Sequence, residues 1–236
     1  MNLLPYIYNE AYNTSLTGIP LMRSMAYAFP EVEGASSLEF QYLFGDSLLV
    51  APVTTPDISE QKVFLPKGGW FNLFTGEYIE GGKTVVCSPK KDEIPVFVKA
   101  GSIIPLNLND NLEFGGSIGN KTDEYNRLSF RIYPKGKSDY HWFDYVDGME
   151  HVLSVDNSTN SRGTMIEMDQ MDESVTLEVY QKKPGEVIVN GRSIQNLNSK
   201  ELITNGDVGW WYDKEQSTVW ISLDTKAATS ILLMTR

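Results

Sequence analysis

The apolar residues of this chain of 236 residues fall into short runs. Between residues 3 and 16 they recur every three or four positions, which predicts an amphipathic helix. Residues 21–29 form a strand-like run that ends at Pro30. Residues 48–53 are almost wholly apolar, which favours a strand buried on both faces, as in a parallel barrel. Such a strand needs neighbours, and few residues precede it.

After residue 53 the chain alternates between apolar and polar positions, with turn residues between the runs. This pattern predicts short strands that each bury one face, and their spacing favours antiparallel sandwiches. Asn190-Gly191 is the best hairpin signal, because both residues tolerate the left-handed backbone of a tight turn. Residues 107–126 predict a long loop or a weak hairpin, and residues 156–162 another loop. The strands are predicted near residues 62–65, 70–72, 93–98, 103–104, 128–132, 175–179, 186–189, 219–223 and 231–234.

The charge balance limits the partners of the protein. Its net charge is −11, from 20 basic and 31 acidic residues, and no cluster of Lys and Arg interrupts the acidic pattern. A nucleic acid or an anionic membrane would be repelled by such a surface, whereas a neutral ligand such as a sugar would not. We therefore expect no nucleic-acid partner and no membrane partner, and a carbohydrate is compatible with the charge.

Cysteine and histidine are scarce. Cys87 is the one cysteine, and His141 and His151 are the only histidines, which excludes an internal disulfide and disfavours a zinc site. We expect no cofactor. The N-terminus has no signal-peptide pattern, and no apolar stretch approaches the ~20 residues of a membrane helix. The sequence therefore predicts a soluble, cytoplasmic protein, although a signal on a longer parent chain would not be visible here.

Five segments within the first 105 residues carry recognisable motifs. They are LLPYIY (3–8), GIPLMR (18–23), QYLFGDSLLVAPV (41–53), LPKGGW (65–70) and IPVFVKAGSIIP (94–105). In this order and with this spacing they resemble the C-terminal portion of family 31 of the glycoside hydrolases, the α-glucosidase and α-xylosidase type. The resemblance is looser beyond residue 105, where FDYVDG (143–148) and VIVNG (187–191) follow the family's pattern.

The resemblance implies a mainly β fold with three parts. Residues 1–53 would be the last helix and strands of a truncated (β/α)8 barrel, a short α/β remnant. Residues 54–134 would form a proximal antiparallel β-sandwich, and residues 135–236 a distal one.

The resemblance also implies where the chemistry lies. A retaining glycosidase needs two carboxyl groups roughly 5 Å apart, one as nucleophile and one as acid and base. In this family the catalytic Asp pair, and the His and Arg that bind substrate, would lie upstream of Met1. We therefore assign no catalytic residue to this chain, and whether the chain is an enzyme stays open.

Two groups of residues are candidate binding sites. Asp144 and Asp147 lie three positions apart on a predicted strand and turn, where carboxylates could hold a calcium ion; a solvated turn is the alternative. His141, Trp210 and Trp211 could stack on a sugar ring. The alternative is an ordinary strand, in which one of His141 and Trp142 is exposed and the other is packed, and one of the two Trp side chains at 210 and 211 is buried. Because neighbouring strand residues face opposite ways, at most one of the two Trp side chains should be buried.

Three functional hypotheses remain. The chain could be the accessory C-terminal region of a family 31 enzyme, inactive alone. It could be a stand-alone carbohydrate-binding or interaction module, or one half of a split glycosidase that pairs with a separate N-terminal catalytic part. When the chain is alone, we expect the apolar residues 48–53 to be hidden, either by formation of a homo-oligomer that buries residues 1–53 or by packing of residues 1–53 on a sandwich.

Overall fold

A computed structural model describes residues 2–56, 58–90, 93–158, 162–171 and 173–235. The fold is mainly β, and the chain divides into two compact units: a smaller one, Asn13–Ala100, and a larger one made of Met1–Tyr12 and Gly101–Arg236. Among the described residues, no helix is both long enough and apolar enough to cross a membrane.

The smaller unit contains one large sheet and one small sheet. Its elements are α1 (Leu4–Thr17, which begins in the larger unit), β1 (Met22–Ser24), α2 (Met25–Ala28), β2 (Tyr42–Phe44), β3 (Leu48–Val50), β4 (Gln61–Leu65), β5 (Gly69–Asn72), β6 (Tyr78–Glu80), β7 (Lys83–Cys87) and β8 (Val96–Lys99). Six strands form an antiparallel sheet in the order β1-β2-β3-β8-β5-β6, and β4 pairs with β7. Leu49, Trp70 and Phe97 lie in the core of this unit.

Two predictions for the smaller unit are wrong in part. Residues 21–29 do not form one strand, because β1 ends at Ser24 and α2 begins there. The Ser24 side chain accepts a hydrogen bond from Tyr27 N at 3.3 Å, which caps the new helix. Of the apolar residues 48–53, only Leu48–Val50 form a strand, with Leu48 and Leu49 buried; this strand, β3, pairs antiparallel with β2 and β8 and is not a parallel barrel strand.

Residues before and after position 53 therefore share one sheet. Leu48, Leu49 and Ala51 of this run are buried within the smaller unit, as one of the two expectations required, whereas Val53 is exposed. The division into parts 1–53, 54–134 and 135–236 stays a prediction.

The larger unit is a β-sandwich. Its elements are β9 (Ile103–Asn107), β10 (Leu128–Ile132), β11 (Gly136–Phe143), β12 (Glu150–Asn157), β13 (Gly163–Met168), β14 (Ser174–Tyr180), β15 (Glu186–Val189), β16 (Arg192–Ser193), α3 (Lys200–Thr204), β17 (Gly209–Asp213), β18 (Thr218–Asp224) and β19 (Thr229–Met234). The first sheet has the order β17-β18-β14-β10-β9 and the second the order β11-β12-β13-β19-β15-β16. One hydrophobic cluster joins them, with Phe130 and Ile221 from the first sheet and Trp142 and Ile166 from the second.

The turn chemistry of the sequence explains the connections. Asn190 and Gly191 both have positive φ, 48° and 77°, so the hairpin between β15 and β16 forms as predicted. Residues 108–127 contain no strand and form the predicted long loop. One pair departs from the antiparallel expectation, because β10 and β14 run parallel. Of the loop predicted at 156–162, residues 156 and 157 instead belong to β12, and residues 159–161 lie outside the described residues.

Helix α1 contacts the second sheet through Tyr8, Asn9 and Tyr12, and Asn9 binds its backbone directly. Asn9 is buried beside the edge strand β11. Its Nδ2 donates to the backbone oxygen of His141 at 3.2 Å, and Phe143 N donates to its Oδ1 at 2.8 Å. The amide therefore satisfies the open edge of β11 in the way that a neighbouring strand would, and it fixes the strand end that leads into the candidate site.

Candidate functional site

The turn between β11 and β12 is built by two aspartates. The Asp144 carboxylate accepts a hydrogen bond from Val146 N at 2.8 Å, and the Asp147 carboxylate accepts one from Met149 N at 2.7 Å. Such short-range bonds make aspartate a frequent turn residue. Gly148, with φ 74°, supplies the left-handed position that closes the turn.

His151 completes a group of three potential metal ligands with these aspartates. One ligand atom from each of Asp144, Asp147 and His151 lies within 4.8 Å of the other two, and His151 Nε2 is 2.9 Å from Asp147 Oδ2. Asp144 and His151 are buried, whereas Asp147 is exposed. Within the described part of the chain, no other three His, Cys, Asp or Glu residues come this close. Carboxylate oxygen with imidazole nitrogen is a ligand set that suits several divalent ions.

Burial raises the pKa of the acidic groups around this turn. It is the main cause for the Asp144 carboxyl, and the hydroxyl of Tyr125, which donates to Asp144 Oδ1, opposes it only in part. Burial also raises the pKa of the Glu173 carboxyl, and the charges of Asp144 and Asp147 raise it further. A cation would offset the repulsion between these carboxylates.

The predicted sugar contacts lie on different sheets. His141 is exposed on β11, in the second sheet. Trp210 lies on β17 in the first sheet and belongs to the hydrophobic core, with 3% of its surface exposed. Trp211 is half-buried on the opposite face, opposite Trp220 of β18. The alternation of the two Trp side chains follows the expected period of a strand, and the structure does not bring His141 and the Trp pair into one platform.

The sequence did not identify His151 as a member of the candidate metal site, nor Tyr125 and Glu173 as its neighbours. His151 follows Asp144 by seven residues, a spacing that would place both side chains on one face of a helix but on opposite faces of a single strand. The register of the hairpin, which pairs Trp142 with His151, brings it back to the turn. A hairpin prediction around FDYVDG was therefore the only signal available; Tyr125 and Glu173 come from a loop and from the residue before β14, and no local pattern marks them.

Known proteins match this chain along most of its length. The family model described as the glycosyl hydrolase family 31 C-terminal domain matches residues 18–104. Isomaltosyltransferase from Sporosarcina globispora is 36% identical over 234 residues, which cover 99% of this chain and 21% of the relative.

Solved structures give the same result for the fold. The cycloalternan-forming enzyme from Listeria monocytogenes, in complex with a pentasaccharide substrate, superposes with a TM-score of 0.95 at 34% identity, covering 99% of this chain and 22% of the enzyme. A Listeria monocytogenes protein in complex with glucose, magnesium and calcium gives the same values. The chain thus spans about a fifth of the length of these relatives.

Proposed function

Because the chain belongs to family 31 of the glycoside hydrolases and carries that family's C-terminal domain, we propose that it is the accessory region of an enzyme acting on α-glucans. In this proposal the chain is inactive alone and stabilises a catalytic part that it binds. The observation that carries the proposal is the superposition of 99% of the chain on only 22% of a larger enzyme, at a TM-score of 0.95. The substrate class follows from relatives that transfer isomaltosyl groups or form cycloalternan.

The surface of the smaller unit supports a docking role. Leu16, Met22, Tyr27 and Phe40 are each more than half exposed, at 66%, 57%, 56% and 62%. Soluble proteins seldom leave many large apolar side chains in water, and exposed apolar patches mark interaction sites. We name these four side chains the apolar face, a set defined by their exposure alone; in the proposal the catalytic part of the enzyme covers them.

A chimera tests this function. The segment of the Listeria cycloalternan-forming enzyme that matches this chain is replaced by the chain, and activity on its oligosaccharide substrate is measured. We expect the chimera to keep activity and the chain alone to release nothing from p-nitrophenyl α-glucoside or isomaltose. Glucose release by the isolated chain that survives repurification, or a folded but inactive chimera, would contradict the proposal.

We also propose that the turn group of Asp144, Asp147 and His151 binds a divalent cation. Its geometry favours an ion that accepts imidazole, such as Zn²⁺ or Mn²⁺, over Ca²⁺, which takes six to eight oxygen ligands. A similar Listeria protein was solved with magnesium and calcium. Binding of Ca²⁺ or Mg²⁺ at this turn is therefore the alternative that the experiment has to distinguish.

Thermal unfolding distinguishes these ions. After treatment with EDTA, adding Zn²⁺ or Mn²⁺ should raise the Tm, and the Asp147→Asn variant should lose most of that increase. The exposed Asp139→Asn change on the same strand pair is the matched control. An increase with Ca²⁺ alone would overturn the choice of ion, and no increase with any of these ions would overturn the site.

A further inference from the structure

A groove of about 360 Å³ lies on the outer face of the second sheet of the larger unit. Its residues come from β12, β13 and β19 and from the turn after β15, and include Ser154, Glu167, Asn190 and Ser230. The groove is separate from the Asp144 turn and from the Trp pair. Its volume falls in the lower part of the range for small-molecule sites.

The register of the sheet aligns these polar side chains. Ser154 pairs with Glu167, and Glu167 pairs with Ser230. Residues that pair directly across strands project from the same face. This face is the outer one, because Ile166, which neighbours Glu167 in β13, lies in the core.

Two hydrogen bonds, one between backbone groups and one to the Asn190 side chain, fix the end of the row. Asn190 N donates to Ser230 O at 2.8 Å, and Ser230 N donates to Asn190 Oδ1 at 2.8 Å. The Asn190 side chain is thereby held beside Ser230, with its amide nitrogen left as a donor. Among the described residues, the Ser154 hydroxyl and the Glu167 carboxylate have no protein hydrogen-bond partner. The row therefore presents hydroxyl, carboxylate and amide groups that a ligand can reach, with Asn190 held in place by the bond from Ser230 N.

The chemistry of the groove selects a neutral polyol. No Lys, Arg or His lines it, so an anionic ligand would meet only carboxylates. Glu167 and Asp169 do not belong to any close group of three metal ligands in the described part of the chain, which argues against one tightly held cation. Sugar hydroxyls both donate and accept, and they match a row that alternates hydroxyl, carboxylate and amide. Val152 and Ala228 add apolar surface for the C–H groups of a sugar ring.

We propose that this groove binds two or three residues of a neutral oligosaccharide, with Glu167 as the central hydrogen-bond acceptor. His141 pairs with Val152 on the edge strand β11 and is exposed, which puts it at the rim of the groove, where a further sugar could contact it. The choice of an α-glucan as ligand rests on the proposed function. The groove would hold a part of the glucan that lies away from the bond that the catalytic part cuts or forms.

Backbone amide NMR of the full chain, titrated with isomaltotriose and with maltotriose at millimolar concentrations, tests this site. We expect saturable shifts at Ser154, Glu167 and Ser230. Glu167→Gln should weaken binding roughly ten-fold, because a carboxylate accepts stronger bonds than an amide. Glu186→Gln, an exposed change on β15 of the same sheet, should leave binding unchanged, and Ser154→Ala gives a second, milder loss.

Three results would overturn the proposal. They are the absence of saturable shifts with either sugar, shifts confined to the neighbourhood of Trp211, and a response of these residues to CaCl2 but not to sugar. None of them touches the chimera experiment, so a failure of the groove and a failure of the accessory role are distinguishable.

Discussion

The two units of the molecule differ most in what they leave exposed. Although the smaller unit has fewer residues than the larger one, it carries ten of the thirteen large apolar side chains that are exposed among the described residues. The larger unit carries three, Tyr8, Met149 and Val208. Its core is closed by two sheets, and its second sheet shows a polar outer face. The larger unit thus has the mostly polar surface of a domain that faces water, whereas the smaller unit has the apolar surface that is typical of a protein–protein interface.

The largest expected change in stability comes from breaking a buried ion pair of the larger unit. In the larger unit, Arg131 Nε lies 2.6 Å from Glu178 Oε2, and both side chains are buried. Glu178→Ala would remove the carboxylate that pairs with the buried guanidinium and leave its charge without compensation there, so we expect the free energy of unfolding of the larger unit to fall by about 3–5 kcal/mol. Urea denaturation followed by Trp fluorescence measures this loss.

The control is the double change Arg131→Met with Glu178→Leu, which removes both charges and should cost less than the single change. An exposed ion pair contributes less than about 1 kcal/mol to the free energy of unfolding. A decrease that small for Glu178→Ala would therefore show that water reaches the Arg131–Glu178 pair.

A smaller loss is expected from a side-chain clamp in the smaller unit. Gln41 is buried; its Nε2 donates to Phe64 O at 2.7 Å, and Phe64 N donates to its Oε1 at 2.9 Å. Gln41→Ala leaves both backbone groups of Phe64 unpaired, so the smaller unit should lose about 1–3 kcal/mol. Hydrogen exchange of the Phe64 amide should accelerate, while amides of the larger unit keep their rates. The exposed Gln216→Ala change is the control, and equal effects of the two changes would contradict the clamp.

The pH dependence of stability should come from the larger unit. The raised pKa of Glu173, caused first by burial and then by the charges of Asp144 and Asp147, means that the folded state keeps this proton to a higher pH than the unfolded state. The free energy of unfolding should therefore fall as pH rises above about 4.3. Glu173→Gln should flatten this slope, as urea denaturation in EDTA across that window would detect. An unchanged slope would exclude Glu173 as its source.

The smallest effect on stability, and the most informative one, belongs to the apolar face. Leu16→Glu and Phe40→Glu alter exposed side chains, so each should change the free energy of unfolding of the isolated chain by no more than about 0.5 kcal/mol. A loss above about 2 kcal/mol would mean that these side chains already pack within the chain.

Much of this fold could be predicted from alternation and turn residues. Helix α1, the Asn190-Gly191 hairpin and the loop after β9 are determined by residues close in sequence, and their prediction is confirmed. Residues 21–29 were harder, because Ser24 ends a strand and caps a helix in one step. The partners of residues 48–50 could not be predicted either, since an apolar run does not state whether its neighbours are parallel or antiparallel.

The candidate sites depend on long-range pairing to different degrees. Asp144 and Asp147 were visible as a local motif, whereas His151 joins them only through the hairpin register. The groove needs β19 to lie beside β13, which brings Ser230 opposite Glu167 across more than sixty positions of sequence. No local pattern carries that information, so this groove could not be found without the sheet order.

Co-expression tests the central claim most directly. This chain and the part of the Listeria cycloalternan-forming enzyme upstream of the matching segment are produced as separate polypeptides, and co-purification and activity are measured together. We expect a stable, active complex that the double change Leu16→Glu with Phe40→Glu disrupts, while Met149→Glu with Val208→Glu in the larger unit does not. Equal recovery of the complex with both double variants would contradict the claim that the smaller unit carries the docking surface.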